Sequence, residues 1–556
     1  MDEPRTPPPA PSVATPRLDR RDLLLIVLLA VLTLGLRGIQ LATTEVTARD
    51  SIGYIHIAWR LEHYNWRQVI PDIPQHPGYP FAVLAASLPA RLLFPNDLPY
   101  AMQLAAQLAS AAASILLVAP LYWLGVQLFN RRIAFGAVLL FQCLPCSGRI
   151  LADGLSEGVF LLFAVTALAT ALHSLRTGSL LGFAVTGAAS GLAYLTRPEG
   201  LIIPAAAGLT LLAMQAFARW RRPWLRVLAF GVVMTAAVLT IGGPFMILIG
   251  GLTNKNSANA MMKDAAAEAT PPAQDGVADG PILAVWWQGD VNGASGRYLW
   301  GLTTLAEVLS KAFFFVLWIP ALIGLICFHR RIRTDPGAWM VLLVCAVLGC
   351  LLYRVAVRMG YLSDRHTILI LACGLLWTAA AVDGAGQVLA RFLASGRPAL
   401  AAKWWADGRA WAVCLLLVAA CAPLVRTLEP LHGDRVGFRA AGYWLRDHAR
   451  PDETIFDPFG WAGYYAGRYF RPEADHYFRE EDFPAGPWNY VVLEEGANKH
   501  SHLVTVTMAE NLAHSAGREI HQFAAPRGKE TAKIVIYEVQ NAGQALGEVV
   551  GRADDQ

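Results

Sequence analysis

Apolar residues in this chain are gathered into long uninterrupted runs separated by short polar stretches. A membrane-crossing helix needs roughly 20 consecutive apolar residues. Runs approaching that length occupy 23–41, 101–123, 133–148, 155–173, 179–196, 199–217, 227–251, 307–328, 338–354, 367–390 and 410–427. They predict about eleven transmembrane helices, the third of them short. The run 79–95 is broken by Pro80, Pro89 and Arg91 and reads as an interfacial or re-entrant piece. The first run follows Arg20 and Arg21, is long, and shows no small-residue cleavage site, so it reads as an uncleaved span. Residues 1–22 are Pro-rich and polar, as in a disordered cytoplasmic tail.

Basic residues set the expected orientation, because Lys and Arg collect on the cytoplasmic side. With the N-terminus inside, alternation puts Arg131–Arg132, Arg176, Arg219–Arg226, His329–Arg333 and the Arg391–Arg409 connection inside as well. Arg49, Arg60, Arg67 and Arg91 fall outside and leave the bias incomplete. The outer face then receives 42–100, 149–154, 197–200, 252–306, 355–366 and 428–556. The expected divisions are a tail (1–22), a transmembrane module (23–427) with large outer loops at 42–100 and 252–306, and an extracytoplasmic C-terminal domain (428–556).

The polar segments have patterns of their own. Asp50, Tyr54, Ala58 and Leu61 recur at helical spacing, with Ile52, Ile55 and Trp59 on a face suited to the membrane interface. Gln75–Phe81 reads as a stiff turn re-entering the membrane, and 252–306 as a mobile lid or acceptor-binding loop. In the C-terminal segment, Arg435–Ala449 fits an amphipathic helix. Strands are predicted at Thr454–Phe456, Tyr490–Leu493, Glu519–Phe523 and Lys533–Glu538, which makes a small α/β domain. The aromatic stretch Phe459–Tyr465 reads as core, with a loop that contacts a glycan or a membrane surface as the alternative.

Composition agrees with a membrane protein. Of 556 residues, 55% are hydrophobic and 16% charged, against roughly 25% charged in soluble domains, and the mean hydropathy is +0.39. A net charge of +4 gives no reason to expect a nucleic-acid partner. All eight cysteines lie in apolar stretches, so no disulfide framework is implied, and Cys143-Leu-Pro-Cys146 reads as packing.

Four groups of charged residues are predicted at one depth on the outer face. Asp50 follows the first span. Asp153 and Glu157 stand one helical turn apart at the head of the fourth. Arg197 and Glu199 occupy the turn between the fifth and sixth, and Arg365 and His366 precede the tenth. Charges near a span cost about 2.5–3.5 kcal/mol each on insertion scales, so they tend to pair or to mark sites. A guanidinium fork suits phosphate oxygens, and a carboxylate suits a proton from an attacking hydroxyl. The set therefore fits group transfer from a lipid-linked phosphate to an acceptor outside. A transporter or flippase of a lipid-linked or anionic substrate would put charges deep within spans and often show inverted repeats. Neither is visible. A surface-polysaccharide polymerase or ligase remains a neighbouring alternative.

The ordered pieces Arg49-Asp50, His76-Pro-Gly-Tyr-Pro80, Leu155-Ser-Glu157, Leu195-Thr-Arg-Pro-Glu-Gly200 and Ser363-Asp-Arg-His366, spread over roughly residues 20–425, resemble the GT-C superfamily of integral-membrane glycosyltransferases. The resemblance is to the branch of protein O-mannosyltransferases and aminoarabinose transferases. It implies an inverting enzyme that uses a polyprenyl-phosphate-linked sugar donor and a lipid, glycan or protein acceptor. Asp50 would be the general base or an acceptor-orienting carboxylate, and Arg197, Arg365 and His366 would hold the donor phosphate. Asp153, Glu157, Glu199, Tyr54 and His76 would support or bind substrate. The chain departs from the branch in placing Ser51 after Asp50, where protein O-mannosyltransferases have an Asp-Glu pair, and in an α/β C-terminal segment where they carry a β-trefoil. Oligosaccharyltransferases of the same superfamily need a divalent metal; no Asp-x-Asp or ligand cluster marks the outer loops here, so no metal or other cofactor is expected.

Overall fold

The computed structural model describes residues 18–218, 220–255, 294–359, 362–395, 407–471, 488–496, 504–527 and 530–539. The expected disordered tail (1–22) and lid (252–306) lie largely outside the described residues; where they are described, residues 20–22 begin a helix and 294–306 belong to another, which corrects those parts. In chain order the helices are α1 (Arg20–Thr43), α2 (Arg49–His63), α3 (Trp66–Asp72), α4 (Gly78–Leu93), α5 (Leu98–Leu128), α6 (Arg131–Cys143), α7 (Pro145–Ile150), α8 (Glu157–Thr177), α9 (Leu180–Thr196), α10 (Ile202–Gln215) and α11 (Trp224–Ile249). They continue as α12 (Ala294–Ala312), α13 (Trp318–Cys327), α14 (His329–Thr334), α15 (Pro336–Met359), α16 (Ile368–Ser395), α17 (Gly408–Thr427), α18 (Val436–His448), α19 (Trp461–Tyr465) and α20 (Val504–Ala516).

Among the described residues, eight helices are long and apolar enough to cross a membrane: α1, α5, α8, α10, α11, α15, α16 and α17, with α10 and α16 each extended by the short 3-10 turn that leads into it. The shorter apolar helices are α4, α9 and α13. Two expected spans are not single helices. The run 133–148 divides at Leu144, because Pro145 has no N–H with which to continue the ladder. The run 307–328 divides at Phe314 and Phe315, whose φ values of 52° and 61° turn the chain out of the helix.

Charges inside the bundle are locked. Arg37 of α1 is 1% exposed. It donates to Ser114 Oγ at 3.1 Å, the Gly148 carbonyl at 2.9 Å and Gln142 Oε1 at 2.7 Å. One buried guanidinium thus ties α1 to α5, α6 and α7, and fixes the chain leading into the 151–156 turn. At the opposite end of the bundle, Asp22 is equally buried and accepts from the Tyr122 hydroxyl at 2.8 Å.

Residues beyond α17 form a four-stranded sheet with helices on it. The strands are β1 (Ile455–Phe456), β2 (Tyr490–Glu495), β3 (Gly517–Arg527) and β4 (Glu530–Val539), ordered β1-β2-β4-β3. β1 runs parallel to β2, and the other pairs are antiparallel. Strand alternation sends Val492, Ile534 and Ile536 to one face and Val491, Leu493 and Val535 to the other. α20, which the sequence pattern missed, covers the second face. The first face joins Phe438, Trp461 and Tyr465 in one apolar core with Ile52 and Ile55 of α2 and Met102 of α5. The sheet unit is thereby packed onto one end of the bundle.

Candidate functional site

Ile52 and Ile55 are 3% and 0% exposed, so the expectation that this face of α2 rests in the membrane interface is corrected. It is covered by the C-terminal unit. The Tyr465 hydroxyl accepts from the Thr47 N–H at 3.1 Å, and Trp461 Nε1 donates to the Thr47 carbonyl at 3.0 Å. Ser51 Oγ lies 2.9 Å from the Asp153 carbonyl and 2.8 Å from that of Gly154. These bonds set the N-terminal turn of α2, where Asp50 stands. The stretch Phe459–Tyr465 is core, as its sequence suggests.

The turn between α9 and α10 is equally constrained. A Cβ on Gly200 would lie 2.3 Å from the Tyr194 amide nitrogen, and one on Gly78 would lie 2.7 Å from the Leu195 carbonyl oxygen. Only glycine lets the turn fold back on α9 and lets the His76-Pro-Gly segment press against it.

Two ion clusters result. Arg365, in the 3-10 turn before α16, pairs with Asp50. Arg197 pairs with Glu157 and, at 3.1 Å, with Glu199. The two clusters meet at a narrow cleft. Its polar wall is Glu157, Arg197, Glu199, Arg365 and His366; its apolar wall is Phe160, Leu348, Ile368 and Leu369. Glu157 Oε2 and Arg365 Nε are buried there and unpartnered. The Ser363 N–H faces His366 Nδ1 at 3.4 Å, which leaves Nε2 as the ring's proton-bearing nitrogen. Tyr54 is half-buried, its hydroxyl 3.1 Å from Ser156 Oγ, within electrostatic reach of Glu157, Arg197 and Asp50.

Two expected site residues are engaged elsewhere. The Asp153 carboxylate takes His432 Nε2 at 2.8 and 2.9 Å. His76 is 3% exposed, with both nitrogens used, Nδ1 at 2.7 Å from the Tyr194 carbonyl and Nε2 at 2.9 Å from Thr253 Oγ1. Burial holds its pKa down, to about 4. Two residues beside the set were missed. His432 gave no signal beyond following the last span. Lys255 lay in a stretch read only as the start of a loop, although a lone lysine just past a span end was the available clue. Among the described residues, no group of three or more His, Cys, Asp or Glu side chains is placed to share a metal ion.

Residues 97–241, which run from the start of α5 into α11, match the family described as dolichyl-phosphate-mannose-protein mannosyltransferase. Over nearly the whole chain, the structure is similar to the oligosaccharyltransferase of Archaeoglobus fulgidus in its apo form. The TM-score is 0.54 at 14% identity, covering 90% of this chain and 73% of that one. It is also similar to ArnT from Cupriavidus metallidurans, with TM-score 0.51 and 14% identity, covering 93% and 98%. The chain has the GT-C glycosyltransferase fold. A further GT-C structure, archaeal AglB from Archaeoglobus fulgidus in complex with an inhibitory peptide and a dolichol-phosphate, matches with TM-score 0.52 at 15% identity over 95% and 77%. No curated protein matches the chain by sequence. With eight helices long and apolar enough to cross a membrane among the described residues, it is a multi-pass integral membrane protein.

Proposed function

We propose that the protein is an inverting glycosyltransferase of a bacterial-type plasma membrane. It moves a sugar from a polyprenyl-phosphate donor to a lipid, glycan or protein acceptor on the extracytoplasmic side. The N-terminus is cytoplasmic and the C-terminal unit extracytoplasmic, a reading supported by the distribution of arginines between the two ends. The observation that carries the proposal is the cleft itself: guanidiniums and a histidine on one wall, apolar side chains on the other, and Asp50 paired with Arg365 of the polar wall. A lipid phosphate needs both walls at once.

In this reading Arg365, Arg197 and His366 hold the phosphate oxygens, while Glu157 and Glu199 fix Arg197. Asp50 takes the proton of the acceptor hydroxyl as that oxygen attacks the anomeric carbon. The bond from that carbon to the phosphate oxygen breaks on the opposite face. Its electron pair leaves on the lipid phosphate, and the cations offset the growing charge. Inversion follows from the single displacement.

The test is purified protein with a panel of polyprenyl-phosphate sugars and mass spectrometry of candidate acceptors. A positioned base contributes roughly 10²- to 10⁴-fold, so Asp50→Asn is expected to lower turnover by at least about 100-fold. Equal product from both proteins would remove Asp50 from the role. Fusing a periplasm-active reporter at the C-terminus checks the orientation; a silent reporter there, with a cytoplasm-active reporter active at the same position, would reverse it.

A further inference from the structure

The segment Leu252–Lys255 leaves α11 and is held against the end of α9, which leads into the Arg197 turn, and against α3. The Tyr194 hydroxyl donates to the Leu252 carbonyl at 2.6 Å. Asn254 Nδ2 donates to the Pro71 carbonyl at 3.0 Å. His76 bridges the two strands of chain, from the Tyr194 carbonyl to Thr253 Oγ1. Because Nδ1 faces a carbonyl it must donate, so in the neutral ring Nε2 accepts the Thr253 hydroxyl proton. Thr253 Oγ1 is then free to accept the Lys255 N–H, 3.1 Å away. The polarity of this chain is consistent from end to end, and it fixes where Lys255 begins.

The Lys255 side chain is half-buried and within electrostatic reach of Arg197, Glu199, Glu157 and Arg365. The carboxylates there are committed elsewhere, two to Arg197 and one to Arg365. Among the described residues no carboxylate forms a salt bridge to Lys255. Burial, reinforced by Arg197, holds its pKa below the ordinary lysine range. The half-buried ammonium feels the two guanidiniums and the carboxylates of Glu157 and Glu199 together, but among the described residues has no anion in direct contact, a place that an incoming anion would fill.

We propose that Lys255 is a ligand of the donor phosphate, and that Thr253 and His76 are positioning residues for it. This rests on the donor reading above. In this proposal the phosphate takes a point charge from Lys255 in addition to the planar fork of Arg365, whose Nε is unpartnered. His76, expected from sequence to bind substrate, acts one step removed.

The test uses the full chain in detergent, with polyprenyl phosphate, the matching neutral polyprenol and inorganic phosphate as probes. Wild type is expected to bind polyprenyl phosphate well above the other two. Lys255→Met is expected to weaken that binding by at least about tenfold at unchanged melting temperature, and Lys255→Arg to retain most of it. His76→Asn and Thr253→Val are expected to raise the donor KM with little change in kcat. Their effects should vanish in a Lys255→Met background, because a positioning residue has nothing left to position. Binding by Lys255→Met within twofold of wild type, or additive double mutants, overturns the proposal while leaving the donor reading intact. A wild type that ignores polyprenyl phosphate overturns both. Inorganic phosphate binding as tightly as the lipid would show an anion site unconnected with a lipid donor, and would also overturn it.

Discussion

Arg197 and Arg365 bear the same charge at the same cleft, yet their surroundings set different costs for removing them. Arg197 and Glu157 have side chains 9% and 3% exposed. Removing one partner of a buried pair leaves a stranded charge and costs about 3–5 kcal/mol. The Arg365 and Asp50 side chains are 28% and 47% exposed, and such pairs contribute about 1 kcal/mol or less. Arg197→Met is therefore expected to lower the melting temperature markedly in detergent, and Arg365→Met to leave it nearly unchanged while abolishing donor binding. Similar melting losses for the two would contradict this difference. His76 gives a pH signature. Its folded pKa, about 4, lies below the unfolded value near 6.5. The unfolded chain thus takes up the proton first as pH falls, and stability declines between those two values. At about 1.4 kcal/mol per pKa unit the loss approaches 3 kcal/mol by pH 4. Melting curves across that range are expected to be steeper for wild type than for His76→Gln.

At the scale of elements, α2 shows how far pattern reaches. Its helical period was readable, and so was Asp50 at its start. The partner of its apolar face was not, because a buried face and an interfacial face carry the same residues. The C-terminal unit caps α2 through Trp461 and Tyr465, residues more than 400 positions away. Trp461→Ala is expected to speed amide exchange over residues 47–58 while leaving α8 protected, a contrast that exchange mass spectrometry reads directly. Equal speeding in α8 would mean a global loss of stability. The four strands were visible from alternation and β-branched content, but α20 was not, having weak flanking signals. The broken runs at Pro145 and Phe314 were hidden for another reason: hydropathy counts apolar residues and does not register a turn made of them. In the site, pairs such as Asp50–Arg365 join residues 315 apart, a juxtaposition no spacing encodes. The charges were legible one by one, since each interrupts an apolar context; their partners were set by packing.

For the molecule as a whole, the C-terminal unit and the bundle share one apolar core. Ending the chain near residue 432 would expose Ile52, Ile55 and Met102 together, and the truncated protein is expected to aggregate or be degraded on expression in membranes. A folded, monodisperse truncation would show that α2 stands without its cover. The bond from His432 to Asp153 adds a second tether just where the last span ends. Phe438, Trp461 and Tyr465 on one side and Thr47, Ile52 and Gln103 on the other have been shaped against each other. The unit is therefore not an exchangeable cassette. A chimera that takes residues 433–556 from another protein of the same fold inherits a mismatched seam, and is expected to fold only if α2 and the start of α5 travel with that segment.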